Sequence, residues 1–280
     1  MNFTQDCSEC QVEPLLEVGI LEISIIIEFP ISMKRFLKRI SSHLPERFQD
    51  ALRRHHYRRK LQRALLTDEP DLAAISLLTK PGDTVFDLGA NFGLFTRFLS
   101  ESVGEKGKVY SFEPTRDMFG VLESNCSDLG LENTHLFRTA LSDHTGVSEM
   151  VIPIREDGTL NHYEASLAGD LEATAGKSIS VETSTLDDFC AEHGVSRIDF
   201  IKCDVEGHEI EVLNGARQTL LHHRPSLLIE VNEPLDAGGH GTKVLEMVRE
   251  LDYEVHTLHE GRLRPWMPGE TCVNYVLVPS

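Results

Sequence analysis

From residue 84 onward, short uninterrupted apolar runs alternate with longer stretches whose apolar positions recur every three or four residues. The first pattern suits strands buried on both faces, the second amphipathic helices. Residues 84–87 predict a strand, and 92–102 a helix with Phe92, Phe95, Leu99 and Val103 on its inner face. A second strand is expected at 108–112. Thr115 is placed to cap a helix that Gly130 ends. Residues 134–138, 198–202 and 226–231 predict further strands, with helices over 186–193, 206–221 and 242–251. Alternation of this kind is the signature of an α/β fold with a doubly wound, mostly parallel sheet. Segments 254–258 and 274–278 predict an antiparallel hairpin at its end.

Two regions break the rhythm. Segments 147–154 and 178–185 read as antiparallel strands around a polar, glycine-containing stretch, 155–177, with little periodicity. Irregular insertions of that length in compact domains commonly act as lids, so this stretch and the loop 236–242 are expected to build the acceptor side of a site. Upstream, Phe36, Leu37, Ile40, Leu44, Phe48 and Leu52 recur at helical spacing among basic residues, predicting one or two basic helices interrupted near Pro45. The run 15–31 contains Glu17, Glu22, Glu28 and Pro30 and has no basic residue before it, which argues against a membrane span or signal peptide. Residues 1–66 therefore read as an N-terminal extension, with 1–32 disordered or upstream of a start at Met33. Residues 67–280 read as one catalytic domain.

Charge sharpens this division. The chain of 280 residues carries a net −18. Residues 33–66 hold 11 Lys/Arg against Glu46 and Asp50, while residues 1–32 carry six acids and no base. The acidic bulk argues against specific nucleic-acid binding. The basic helices suit either docking over the domain's ligand or peripheral contact with an anionic membrane. Six scattered cysteines make no disulfide scaffold and point to a reducing, cytoplasmic setting. Cys7 and Cys10 have metal-like spacing without a second pair, so no metal site is assigned.

The candidate chemistry lies at the carboxyl ends of the expected strands, where open α/β sheets bind ligands. Asp87, Gly89, Asn91 and Gly93 form a glycine-punctuated turn after the first strand, and Glu113 ends the second, 24 residues after Gly89. That separation is close to the one at which a Rossmann-type unit sets an acid on ribose hydroxyls. The Gly-x-Gly-x-x-Gly that seats a pyrophosphate is absent, and Asp87 would repel phosphate. The turn suits a cationic ligand, of which S-adenosylmethionine, with a sulfonium and an ammonium, is the common example. A dinucleotide and a purely structural turn are the competing readings. Ser142 and Asp143 follow the third strand, and Asp204, Glu206 and His208 follow the fourth. There they either cap a helix N-terminus or face an acceptor hydroxyl, with His208 having the intrinsic pKa best suited to a base.

Five motifs in order carry a family resemblance: Phe86-Asp87-Leu88-Gly89-Ala90-Asn91-Phe92-Gly93, Phe112-Glu113-Pro114, Ala140-Leu141-Ser142-Asp143, Thr185-Leu186-Asp187-Asp188-Phe189, and Asp199 through Glu209. Together they resemble FkbM-type methyltransferases over roughly residues 80–278; residues 1–66 fall outside. The resemblance implies a class I, Rossmann-like S-adenosylmethionine-dependent fold acting on hydroxyl groups of sugars, polyketides or other secondary metabolites. By that resemblance Asp87, Gly89, Asn91 and Gly93 line the methionine moiety. Glu113 takes the ribose hydroxyls, and Ser142 and Asp143 the adenine end. The expected protein is an O-methyltransferase for a small-molecule or glycan acceptor. Its rivals are a metal-assisted enzyme using Asp204, Glu230 and Asn232, a non-catalytic nucleoside-binding module recruited by its basic helices, and an NAD-dependent dehydrogenase.

Overall fold

The computed structural model describes residues 45–155, 158–167 and 176–280. Expectations for residues 1–44, among them the first basic helix and the Cys7/Cys10 pair, lie outside the described residues, as does part of the 155–177 insertion. The chain forms two compact units, residues 1–55 and 56–280. Helix α1, Glu46–Arg63, opens the described chain, and α2, Leu72–Leu78, follows.

The larger unit is built on alternating elements: β1 (Thr84–Leu88), α3 (Leu94–Val103), β2 (Lys108–Phe112), α4 (Arg116–Leu129) and β3 (Thr134–Phe137). After an insertion come α5 (Leu186–His193), β8 (Phe200–Cys203), α6 (Glu209–Gly215), α7 (Arg217–His223) and β9 (Ser226–Glu230). Helix α8 (His240–Glu250) and strands β10 (Tyr253–His259), β11 (Arg262–Pro265) and β12 (Asn274–Pro279) complete it. Among the described residues the main sheet runs β11-β10-β12-β9-β8-β1-β2-β3, with β12 antiparallel to β9 and the block from β9 to β3 parallel. This is the doubly wound class I architecture.

Side-chain alternation explains why the central strands are apolar throughout. Val85, Phe200 and Leu228 join one core layer with Leu99 and Val103, whereas Phe86, Ile201 and Ile229 join the opposite layer with Leu213 and Val244. Two buried charges break this rule. Asp87 and Lys202 are paired across β1 and β8 in register, fully or nearly buried, on the layer of Val85 and Phe200.

The insertion forms its own sheet, ordered β4 (Ala140–Leu141), β7 (Gly176–Ser184), β5 (Gly146–Pro153) and β6 (Ser166–Leu167). The antiparallel pairing of β5 with β7 is the one the sequence predicts. The expected helix over 206–221 differs from what is observed. Glu206 (φ 53°) and Gly207 (φ 92°) are left-handed, so α6 starts only at Glu209, and Ala216 interrupts it before α7.

Candidate active site

Strand order reverses at β1, whose neighbours are β2 on one side and β8 on the other. Beyond these carboxyl ends lies a cavity of about 290 Å³. Asp87, Gly89, Asn91, Glu113, Lys202, Asp204, Glu206, His208 and Glu230 all contribute to its wall.

The turn after β1 is fixed from several directions. The Gly89 and Ala90 amides donate to the Phe112 carbonyl at 3.1 and 2.9 Å. A Cβ on Gly89 would lie 1.9 Å from the Asp204 carbonyl oxygen, so glycine there lets the β8 loop close on the turn. Asn91 is left-handed (φ 50°) and donates its amide to Glu113 Oε2 at 3.0 Å. Glu113 Oε1 accepts from the Thr115 amide and hydroxyl at 2.9 and 2.6 Å. Burial raises the Glu113 pKa, and the Thr115 bonds oppose that rise.

Thr96 donates its hydroxyl to Asp87 Oδ2 at 2.6 Å. Asp87 Oδ1 and Asn91 Oδ1 are buried acceptors with no hydrogen-bond partner. Leaving such atoms unsatisfied costs about 1–3 kcal/mol each, so the wall calls for a donor. Burial raises the Asp87 pKa, with the Lys202 ammonium opposing it. Burial also disfavours charge on Lys202, but Asp204 and Asp87 outweigh it and hold the ammonium protonated. Lys202 donates to Asp204 Oδ2 at 2.8 Å.

The β8 and β9 ends carry a second group. Ligand oxygens of Asp204, Glu206 and Glu230 lie within 4.8 Å of one another. Burial, then repulsion from Asp204, pushes Glu206 up to about 8 and Glu230 up to about 7. His208 Nε2 lies 2.9 Å from Ser142 Oγ, and its Nδ1 faces Glu211 Oε2 at 3.6 Å, beyond hydrogen-bond length. Buried Glu209 accepts from the Gly207 amide at 2.9 Å and lies 2.6 Å from His240 Nε2, which ties the loop to α8.

The two residues expected at the adenine end differ in exposure, although the Ser142 hydroxyl donates to Asp143 Oδ1 at 3.3 Å. Ser142 is fully buried against His208, while Asp143 is exposed and holds His144 Nδ1 at 2.8 Å. The cavity wall there is made by Thr139, Ala140 and Leu141. His162, Tyr163, Ala165 and Leu167 line the cavity from the insertion, whereas among the described residues none of 236–242 does. Nothing in the sequence singles out Thr96, and Tyr163 and Lys60 stand out only as members of the insertion and of the basic helices. Lys202 alone left a local signal, a lysine inside an apolar strand.

Comparison with known proteins gives this geometry a family. The profile described as the Methyltransferase FkbM domain matches residues 87–255. The chain belongs to the FkbM methyltransferase family. Among its relatives, 2-O-methyltransferase NoeI of Sinorhizobium fredii is 31% identical over 161 residues, covering 54% of this chain and 64% of that protein. Hexuronic acid methyltransferase AglP of Haloferax volcanii is 32% identical over 139 residues, 49% of this chain and 52% of its own. The 31-O-demethyl-FK506 methyltransferase FkbM of Streptomyces tacrolimicus is 31% identical over 161 residues, 49% and 60% respectively. Each match spans less than two thirds of the relative's length. Lys60 and Tyr57 lie upstream of the matched FkbM segment, and Tyr163 lies within it.

Proposed function

We propose that this FkbM-family chain is an S-adenosylmethionine-dependent O-methyltransferase acting on a hydroxyl of a sugar, polyketide or other small metabolite, free or in a glycan. The observation that carries the reading is the pair of buried, unpartnered acceptors, Asp87 Oδ1 and Asn91 Oδ1, in a wall rich in carboxylate. A primary ammonium has three donors and a positive charge, and it answers both needs. A pyrophosphate answers neither. Two of the relatives, a 2-O-methyltransferase and a hexuronic acid methyltransferase, support oxygen and sugar as the acceptor.

The residues present fit this cofactor. Asp87 and Asn91 would hold its ammonium, with Gly89 and Gly93 shaping the turn around the methionine moiety. Glu113, aimed by Thr115 and the Asn91 amide, would meet the ribose, and Ser142 and Asp143 remain the proposal for the adenine end. When bound, S-adenosylmethionine supplies an electrophilic methyl group on a sulfonium. The chain's contribution is to hold the acceptor hydroxyl in line and to take its proton. Glu206 suits that second task, because a carboxylate whose pKa is pushed up to about 8 is a stronger base than an ordinary one. Asp204, held by Lys202, and His208, held by Ser142, would complete the wall that faces the acceptor. Residues 67–280 constitute the catalytic domain in this reading, and 1–66 its extension.

A second reading has an observation of its own. The Asp204, Glu206 and Glu230 oxygens are spaced as three ligands of a hard divalent cation, which would orient a diol. Full activity after EDTA treatment excludes it. No helix among the described residues is long and apolar enough to cross a membrane. A cytoplasmic setting is supported by the buried free thiols of Cys126, Cys190 and Cys203, whose pKa burial raises. Contact of residues 33–66 with an anionic membrane rests on their charge alone and is tested by vesicle co-sedimentation. A labelled-methyl transfer screen over sugars, lipids and small phenols tests the activity itself. Cofactor binding without transfer in a single turnover to any of them would point to a binding module instead.

A further inference from the structure

The amino-acid end of S-adenosylmethionine carries a carboxylate as well as an ammonium, and a wall of carboxylates repels it. Among the described residues the cavity is lined by two lysines. Lys202 is committed to Asp204, with Asp87 beside it. Lys60 is not committed in this way. Its ammonium lies 3.3 Å from the Tyr163 hydroxyl, 4.7 Å from the centre of the Phe92 ring and 5.5 Å from that of Tyr163, and it is paired with no carboxylate among the described residues.

The position of Lys60 is built rather than incidental. Tyr57, Lys60, Leu61 and Ala64 recur at the spacing of one helix face. Leu61 is buried among Phe92, Met118 and Val121, and the Tyr57 ring stacks on Phe92 at 4.9 Å. The Arg97 guanidinium donates to the carbonyls of Leu61 and Ala64, and Arg58 pairs with Asp128 at 3.4 Å. Lys60 is thereby held over Phe92, the residue next to Asn91. The ammonium and carboxylate of an α-amino acid share one carbon, so their partners must also be neighbours.

We infer that Lys60 binds the α-carboxylate of the cofactor, completing from upstream of the family-matched segment the subsite that Asp87 and Asn91 begin. This inference rests on the methyl-donor reading above. It assigns α1 a direct part in cofactor recognition, and it makes the subsite zwitterionic, with its negative pole at Asp87 and its positive pole at Lys60.

The test uses Lys60→Met, which keeps the stem over Phe92 and removes the charge, with Lys60→Arg as the conservative control. Calorimetry compares S-adenosylhomocysteine with its decarboxylated analogue, which differs only by the missing carboxylate. Lys60→Met should weaken S-adenosylhomocysteine about tenfold or more, as the loss of a charge-assisted contact implies. Its affinity for the decarboxylated analogue should stay within about twofold of wild type, and Lys60→Arg should bind both ligands nearly normally. Equal losses for the two ligands, or no loss for either in a variant whose melting temperature is unchanged, overturn the assignment while leaving the methyl-donor reading intact. A wild-type protein that takes up neither ligand removes both.

Discussion

Asp87 and Glu113, at the ends of β1 and β2, and Asp204, Glu206 and Glu230, at the ends of β8 and β9, face one cavity with the same functional group and opposite surroundings. The first pair is deeply buried, and each carboxylate is held by hydroxyl or amide donors from Thr96, Thr115 and Asn91. The second group is partly exposed and crowded, and two of its members are pushed up to about 7 and 8. Rigid, donor-fixed carboxylates suit recognition, of an ammonium at Asp87 and of ribose hydroxyls at Glu113; crowded ones exchange protons near neutrality. The difference divides the cavity into a cofactor half and an acceptor half.

The comparison breaks most readily at Asp87. Asp87→Asn keeps an acceptor for Thr96 and removes the charge, and S-adenosylhomocysteine affinity should fall on the order of 100-fold, about 3 kcal/mol for a buried contact between charged groups. Retained affinity in calorimetry would detach Asp87 from the cofactor half. Next in size, Glu113→Ala should cost about 30-fold in the same assay. The exposed Asp188, which bonds Thr145, serves as its control, and Asp188→Ala should cost less than about twofold. Equal affinities for these two variants would count against the ribose assignment.

Glu206→Gln sharpens the other half. S-adenosylhomocysteine binding should change little, while kcat/KM falls about tenfold, since in-line alignment supplies much of the acceleration and a base adds to it. The wild-type rate should climb as pH rises through about 8, where Glu206 becomes the reactive carboxylate. The variant should lack that limb, and an unchanged profile would remove Glu206 as the base. Stability gives the smallest signal. A carboxyl raised in the folded state stabilises below its unfolded pKa, and that stability is lost as pH rises through about 8. Glu206→Gln should therefore melt with wild type at pH ~4 and about 2 °C above it at pH ~9.

Much of the cofactor half was readable in the chain, because strand burial and turn chemistry are local. The apolar runs of β1, β2, β8 and β9 mark both-face burial, and Gly130 ends α4 in the left-handed conformation it favours. Asp87, Gly89, Asn91 and Glu113 fall on one wall because the strand order puts β1 beside β2. The acceptor half was less legible. Helix α6 begins late because Glu206 and Gly207 turn left-handed, and no hydrophobic period signals that. Helix α2 and the short strands β6 and β11 are brief segments whose pairing or packing is tertiary. Lys60 and Tyr163 meet across 103 positions of sequence, a distance that spacing rules do not bridge. The adenine end shows the same limit, since Ser142 is buried against His208 while Asp143, still bonded to Ser142, is exposed beside His144.

The claim on which the rest depends is that the cavity selects an ammonium-bearing nucleoside over a pyrophosphate. Parallel calorimetric titrations of the full chain with S-adenosylhomocysteine and with NAD test it most directly. Saturable one-to-one binding of S-adenosylhomocysteine and no measurable heat from NAD are expected. Saturable NAD binding, or an S-adenosylhomocysteine titration indistinguishable from buffer, would contradict it.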